Sequence, residues 1–130
     1  MIYIDTSALL KLVRDEAESG ALRDYLAADG APGLVSSALI TVEARRGTMR
    51  SNPARLPRID ILLTTITQIE ISAAVIESAG RLPGPMLRSL DAIHLATALL
   101  VREELSVLLS YDERLMDAAS AHGIPTAAPA

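Results

Sequence analysis

Short apolar runs, each followed by a longer stretch with helical patterning, set the fold class of this chain. The runs are Met1–Ile4, Leu34-Val35, Thr67–Ile71, Val107–Leu109 and Ile124–Ala128. Between them the spacing of apolar residues predicts helices over Thr6–Arg14, Gly20–Ala28, Ser36 or Ser37 to Met49, Asn52–Leu63, Ser72–Ala79, Ser89–Glu104 and Asp112–His122. Asp29-Gly30 reads as a turn, and Arg81–Pro85 as a loop. The short runs are continuous rather than alternating, as in strands covered on both faces. Strand-then-helix alternation therefore predicts an α/β layer fold with a mostly parallel sheet. At 130 residues the chain fits one domain, and a domain of that size can carry its own core.

In such a sheet, ligands bind at the carboxyl ends of the strands. Four acidic residues fall on that edge. Asp5 directly follows the first strand, and Asp112 follows the fourth. Glu43 lies near the second turn of the helix after Leu34-Val35, and Asp91 in the first turn of the most apolar helix. Each also has a plainer reading. Asp5 can cap the helix at Thr6-Ser7. Ser110-Tyr111-Asp112-Glu113 has the spacing of a capping box. Asp91 can favour a helix dipole, and Glu43 can face water. The cluster has its own requirement, however. Two carboxylates about 4 Å apart repel by roughly 4 kcal/mol at an effective dielectric near 20. Three or four together must be protonated, splayed apart or neutralised by a cation. Oxygen ligands without cysteine point to Mg²⁺, with Mn²⁺ as a substitute. A hard ion held this way polarises phosphate oxygens and activates water. The residues thus predict a metal-dependent phosphoryl or phosphodiester hydrolase.

Charge and composition bear on what such a site would act on. Twelve Lys and Arg against sixteen Asp and Glu give a net charge of −4, so contact with nucleic acid has to be local or assisted by metal. There is no Phe or Trp, and Tyr3, Tyr25 and Tyr111 are the only aromatic side chains besides histidine, too few for a base-stacking platform. The absence of cysteine removes disulfide, zinc-ribbon and thiol chemistry and fits a reducing cytoplasm. The most apolar stretch, Ala92–Val101, is half the length of a membrane span, and no targeting segment is evident, so a cytoplasmic location is expected.

At these residues the sequence resembles the PIN-domain ribonucleases, specifically the VapC toxins of toxin–antitoxin pairs. Tyr3-Ile4-Asp5-Thr6-Ser7-Ala8-Leu9 is similar to the family's first motif. Ser37–Glu43 matches the helical Glu motif, and Leu90-Asp91-Ala92-Ile93-His94-Leu95-Ala96-Thr97-Ala98 the third. Ser110-Tyr111-Asp112-Glu113-Arg114-Leu115 matches the last. The resemblance implies one PIN domain over residues 1–130, a three-layer α/β/α sandwich around a five-stranded parallel sheet. It implies Asp5 and Asp91 as main Mg²⁺ ligands, completed by Glu43 and Asp112, and hydrolysis of RNA to 5′-phosphate and 3′-hydroxyl ends. It also implies neutralisation by a VapB-type antitoxin, a homodimer and a larger toxin–antitoxin complex, with no membrane.

Several residues carry two readings. Ser7 and Ser110 can position water or a carboxylate, or cap helices. Arg88 and Arg114 flank acids and can contact substrate. Arg45, Arg46 and Arg50 can meet RNA phosphate or antitoxin carboxylate, or form a solvated face. His94 reads as a packed neutral side chain, and His122 as a helix-end residue. Aliphatic residues of Leu9–Val13 and Asn52–Leu63 can serve dimerisation, an antitoxin groove or the core. A receiver domain needs an adjacent acidic pair and a late Lys, and the only Lys is Lys11. A phosphatase with an Asp nucleophile needs a second Asp two residues after Asp5, where Ser7 stands. The alternative is a degenerate PIN domain that binds RNA or protein without cutting.

Overall fold

The computed structural model describes residues 1–28, 30 and 32–130. Its five strands are β1 (Ile2–Ile4), β2 (Leu34–Ser37), β3 (Ile66–Ile69), β4 (Val107–Leu109) and β5 (Thr126–Ala127). They pair in the order β3-β2-β1-β4-β5, and every pairing is parallel. Seven α-helices connect them: α1 (Thr6–Lys11), α2 (Ser19–Ala27), α3 (Leu39–Ser51), α4 (Leu56–Leu63), α5 (Ala73–Arg81), α6 (Ser89–Leu100) and α7 (Glu113–Ala121). The strand order reverses at β1, the kind of switch point where open parallel sheets bind ligands.

Both faces of the sheet are covered, as the continuous apolar runs require. Ile2 and Ile4 point to one side, where they pack with Leu9, Leu22, Ile40, Ile59 and Leu109. Tyr3, one residue out of phase, points to the other and packs with Leu95, Leu108, Leu115 and Ile124. One layer is thus α1–α4, and the other includes α6 and α7. The expected three-layer sandwich is what forms.

Element ends depart from the sequence expectations for local reasons. α1 stops at Lys11, and α3 begins at Leu39 with no side-chain cap, although the Ser37 hydroxyl accepts from the Leu39 amide at 3.1 Å. The stretch expected as one helix from Asn52 is a 3₁₀ turn at Pro53–Arg55 and then α4, with Pro57 in its first turn. Strand β3 sits one residue earlier at its start than the pattern predicts. Helix α6 ends at Leu100, and Arg102–Glu104 is a separate 3₁₀ turn. That helix buries Ala92 and His94–Ala98, but Leu90 and Leu100 are exposed, so it is not apolar-packed all round. Of the expected Asp29-Gly30 turn, Asp29 lies outside the described residues, while Gly30 takes φ +73°, which favours glycine.

The segment Thr6–Arg14, α1 and the turn that follows it, is joined to α3 by rungs four residues apart. Thr6 donates to Glu43 at 2.8 Å. One turn on, Leu10 lies so close to α3 that a Cβ at Gly47 would stand 3.1 Å from its Cδ1. Another turn on, Arg14 donates to the Ser51 hydroxyl at 3.3 Å. Gly47 is what allows the close approach in the middle.

Candidate active site

Asp5 is both helix cap and buried acid. It is the N-cap of α1, its Oδ1 accepting from the Ala8 amide at 3.0 Å and from the Ser7 hydroxyl at 2.7 Å. Its Oδ2 accepts from Ser110 Oγ at 2.7 Å. The same two hydroxyls hold the β4–α7 loop, because Ser7 accepts from the Tyr111 amide and Ser110 from the Asp112 amide. Ser7 and Ser110 thus both hold the Asp5 carboxylate. Burial pushes the Asp5 carboxyl above its ordinary range, against the lowering by these hydrogen bonds.

Asp112, not Ser110, caps α7: its Oδ1 accepts from the Arg114 and Leu115 amides. Ser110 is committed to Asp5 instead, which corrects the capping-box reading. Asp91 sits in the first turn of α6, half-buried. Burial raises its carboxyl, and the charges of Asp112, Asp5 and Glu43 raise it further. Asp91 thus lies in the field of the other three acids at the carboxyl edge of the sheet. Among the described residues, no group of three or more His, Asp or Glu is arranged to hold an ion by itself. The acids share an edge without closing into a cage.

Glu43 has the opposite electrostatics. Its Oε1 accepts from Thr6 and meets His94 Nε2 at 2.6 Å. Burial pushes its carboxyl up, but the hydrogen bonds from His94 and the Thr6 hydroxyl outweigh this and leave it below the ordinary range. His94 is only 2% exposed, and its Nδ1 lies 2.7 Å from the Tyr3 hydroxyl. The sequence reading had His94 as packed, which it is, but gave it no contact with the acids. Tyr3 and Thr6 were passed over too, although they flank Asp5 so closely that their side chains were available to the site.

Of the arginines, Arg88 and Arg114 line one cleft of about 340 Å³ with Tyr111, Asp112 and Glu113, next to the acidic edge. Arg45 is paired with Asp60 at 3.0 Å and so ties α3 to α4. Arg46 and Arg50 are exposed. His122 ends α7 with Nδ1 2.9 Å from the Ala118 carbonyl, away from the acids. Leu9 and Val13 are core, as are Ile59 and Leu63, whereas Ile61 is 58% exposed.

The PIN domain family model matches residues 2–121. The chain belongs to the PIN-domain family. Within it, Ribonuclease VapC35 of Mycobacterium tuberculosis is 43% identical over 131 aligned positions, covering 99% of this chain and 97% of that protein. Among solved structures, this PIN domain superposes on Mycobacterium tuberculosis VapC20, a toxin that cleaves the sarcin–ricin loop, with a TM-score of 0.74 at 19% identity, covering 99% of this chain and all of that one. A toxin–antitoxin complex from Klebsiella pneumoniae gives 0.70 at 24% identity, covering 100% of this chain and 98% of that one. Both share the five-stranded fold. Among the described residues, no helix of this PIN domain is long and apolar enough to cross a membrane.

The pKa directions have a thermodynamic consequence. An acid raised in the folded state contributes stability below its unfolded value of 3.8 and loses it as pH climbs through the folded value. Asp5 and Asp91 therefore weaken the fold at neutral pH, whereas Glu43, being lowered, contributes stability above 4.5 that is lost on acidification. Asp91→Asn is expected to melt higher than wild type at pH 7, with the gain shrinking as pH falls toward 4. Melting both proteins across that range in the presence of EDTA checks the sign.

Proposed function

We propose that this PIN domain is a VapC-type endoribonuclease toxin that uses Mg²⁺, or Mn²⁺ in its place, to hydrolyse RNA. The observation that carries the reading is the acidic edge itself: Asp91, beside Asp5, Glu43 and Asp112, is raised by burial and by their charge. A fold that brings such charges together at its ligand edge gains by binding a cation there. Oxygen donors without cysteine suit Mg²⁺, which keeps several of its waters and takes only one or two carboxylates directly. Asp5 and Asp91 would hold the ion, with Glu43 and Asp112 beside them, directly or through water. When bound, Mg²⁺ supplies polarisation of a phosphate oxygen and lowers the pKa of water. A protein named a ribonuclease that is 43% identical over nearly the whole of both chains supports RNA as the substrate.

The chain's own groups have separable tasks. The Ser7 and Ser110 hydroxyls fix the Asp5 carboxylate, and Thr6 with His94 fixes Glu43. Asp112 has Oδ1 on the α7 amides, which leaves Oδ2 to orient water and take its proton. The water oxygen bonds to phosphorus as the bond to the 3′-oxygen breaks. The 3′-oxygen takes a proton from bulk water and leaves as the hydroxyl of the upstream fragment, and the phosphate stays on the 5′-oxygen of the downstream fragment. Arg88 and Arg114, in the cleft beside Asp112, suit bidentate contact with a neighbouring phosphate. An antitoxin of VapB type would silence the site by placing a cationic side chain among the carboxylates. The solved toxin–antitoxin relative supports that partner. A homodimer and a larger complex with the antitoxin belong to the same reading, as does a cytoplasmic location.

The test is cleavage of total RNA by the purified, antitoxin-free protein with Mg²⁺ and with EDTA. Discrete fragments bearing 5′-phosphates are expected with Mg²⁺ alone. Intact RNA from a folded protein would instead favour a domain that binds without cutting.

A further inference from the structure

A chain of hydrogen bonds runs from the sheet to Glu43 without passing through solvent. The Ser37 amide donates to the Tyr3 hydroxyl at 3.2 Å. That hydroxyl sits 2.7 Å from His94 Nδ1, and His94 Nε2 sits 2.6 Å from Glu43 Oε1. Tyr3 is fully buried and its ring meets the imidazole edge-on, 5.8 Å between centroids. Direction follows from donor and acceptor counts. As a carboxylate Glu43 can only accept, so Nε2 carries the proton it shares with Oε1. The Tyr3 oxygen accepts from Ser37 and also carries a proton, which it can give to Nδ1. Thr6 also donates to Oε1, so both hydrogen bonds that Glu43 receives fall on one oxygen.

We propose that His94, locked by Tyr3 with its proton on Nε2, is a positioning residue that pins Glu43 by Oε1 and leaves Oε2 as the oxygen offered to the acidic edge. This rests on the ribonuclease reading for its catalytic consequence, but the geometry stands apart from it. A pinned carboxylate is pre-organised, so ordering it does not have to accompany substrate binding. Outer partners of this kind command about 10- to 100-fold in activity.

Three variants and one spectrum test it. His94→Gln can place an amide N–H where Nε2 stands, whereas the shorter His94→Asn cannot reach Glu43. Tyr3→Phe removes only the hydroxyl. His94→Asn should lower the turnover of RNA about 10- to 100-fold with little change in KM. His94→Gln should recover most of that loss, and Tyr3→Phe should fall between. The second readout needs no activity. With only two histidines in the chain, ¹⁵N imidazole spectra resolve them readily, and His94 should show a protonated Nε2 with Nδ1 as acceptor. A proton on Nδ1 with none on Nε2 overturns the proposal. So does a wild type that cuts RNA while folded His94→Asn cuts as fast. If the wild type cuts nothing, the ribonuclease reading fails, and the spectrum still decides the hydrogen-bond chain.

Discussion

Asp5→Asn and Asp91→Asn should each abolish Mg²⁺-dependent RNA cleavage while leaving a folded protein. Outer partners of a metal site are worth at most about 100-fold. A residue that itself holds the ion should exceed that, so cleavage in each variant is expected to fall below one hundredth of the wild-type rate. The fold has reason to tolerate both changes. At position 5 an Asn Oδ1 can still accept from Ala8 and Ser7, and its amide can face Ser110, whose hydroxyl is free to turn. At position 91 the change removes a charge that three neighbouring carboxylates oppose. Function and stability therefore separate at these two positions, as expected where a fold holds like charges together for use. The check is initial cleavage rates beside melting curves for the same preparations. Full activity in both variants would end the proposed role of the acidic edge.

Ile4→Ala should do the reverse. Ile4 is the last residue of the central strand β1, fully buried, and packed between the sheet and the helices on the α1 side. Removing three carbons from such a site costs about 2–5 kcal/mol in lost transfer energy and cavity. The total stability of a domain is only about 5–15 kcal/mol. A fall in Tm on the order of 10 °C is expected. No polar group that holds Asp5 is touched, so the folded fraction should still cut. Thermal melting and activity per folded molecule below the new Tm test this. A variant that melts like wild type would mean that β1 is not the centre of the core.

What the sequence disclosed and what it withheld differ in kind. Apolar runs such as Ile2–Ile4 and Val107–Leu109 were legible because strands buried on both faces need no alternation. The edge position of Asp5 and Asp112 followed from their place just after strands. The donation of the Ser110 hydroxyl to Asp5 was not legible, since a serine at that spacing also suits the cap of α7. His94 was hidden for a different reason. An imidazole on an apolar helix reads as packing, and its two partners lie 91 and 51 residues away in sequence. Only the register of β1, with Tyr3 facing α6, brings the phenol to the ring. The boundary errors at α4 and α6 arose where proline and a 3₁₀ turn interrupted an otherwise helical pattern.

The three rungs along α3 also bear on how this molecule can diversify. They occupy one stripe of α3, at Glu43, Gly47 and Ser51, faced by Thr6 and Leu10 of α1 and by Arg14 in the turn beyond it. The outer side of α3, with Arg46, Met49 and Arg50, takes no part in them and is exposed. Mutation can therefore rewrite what the outer surface recognises while the spacing between Asp5 and Glu43 is inherited unchanged. Two descendants of this chain could respond to different partners and still share one chemistry.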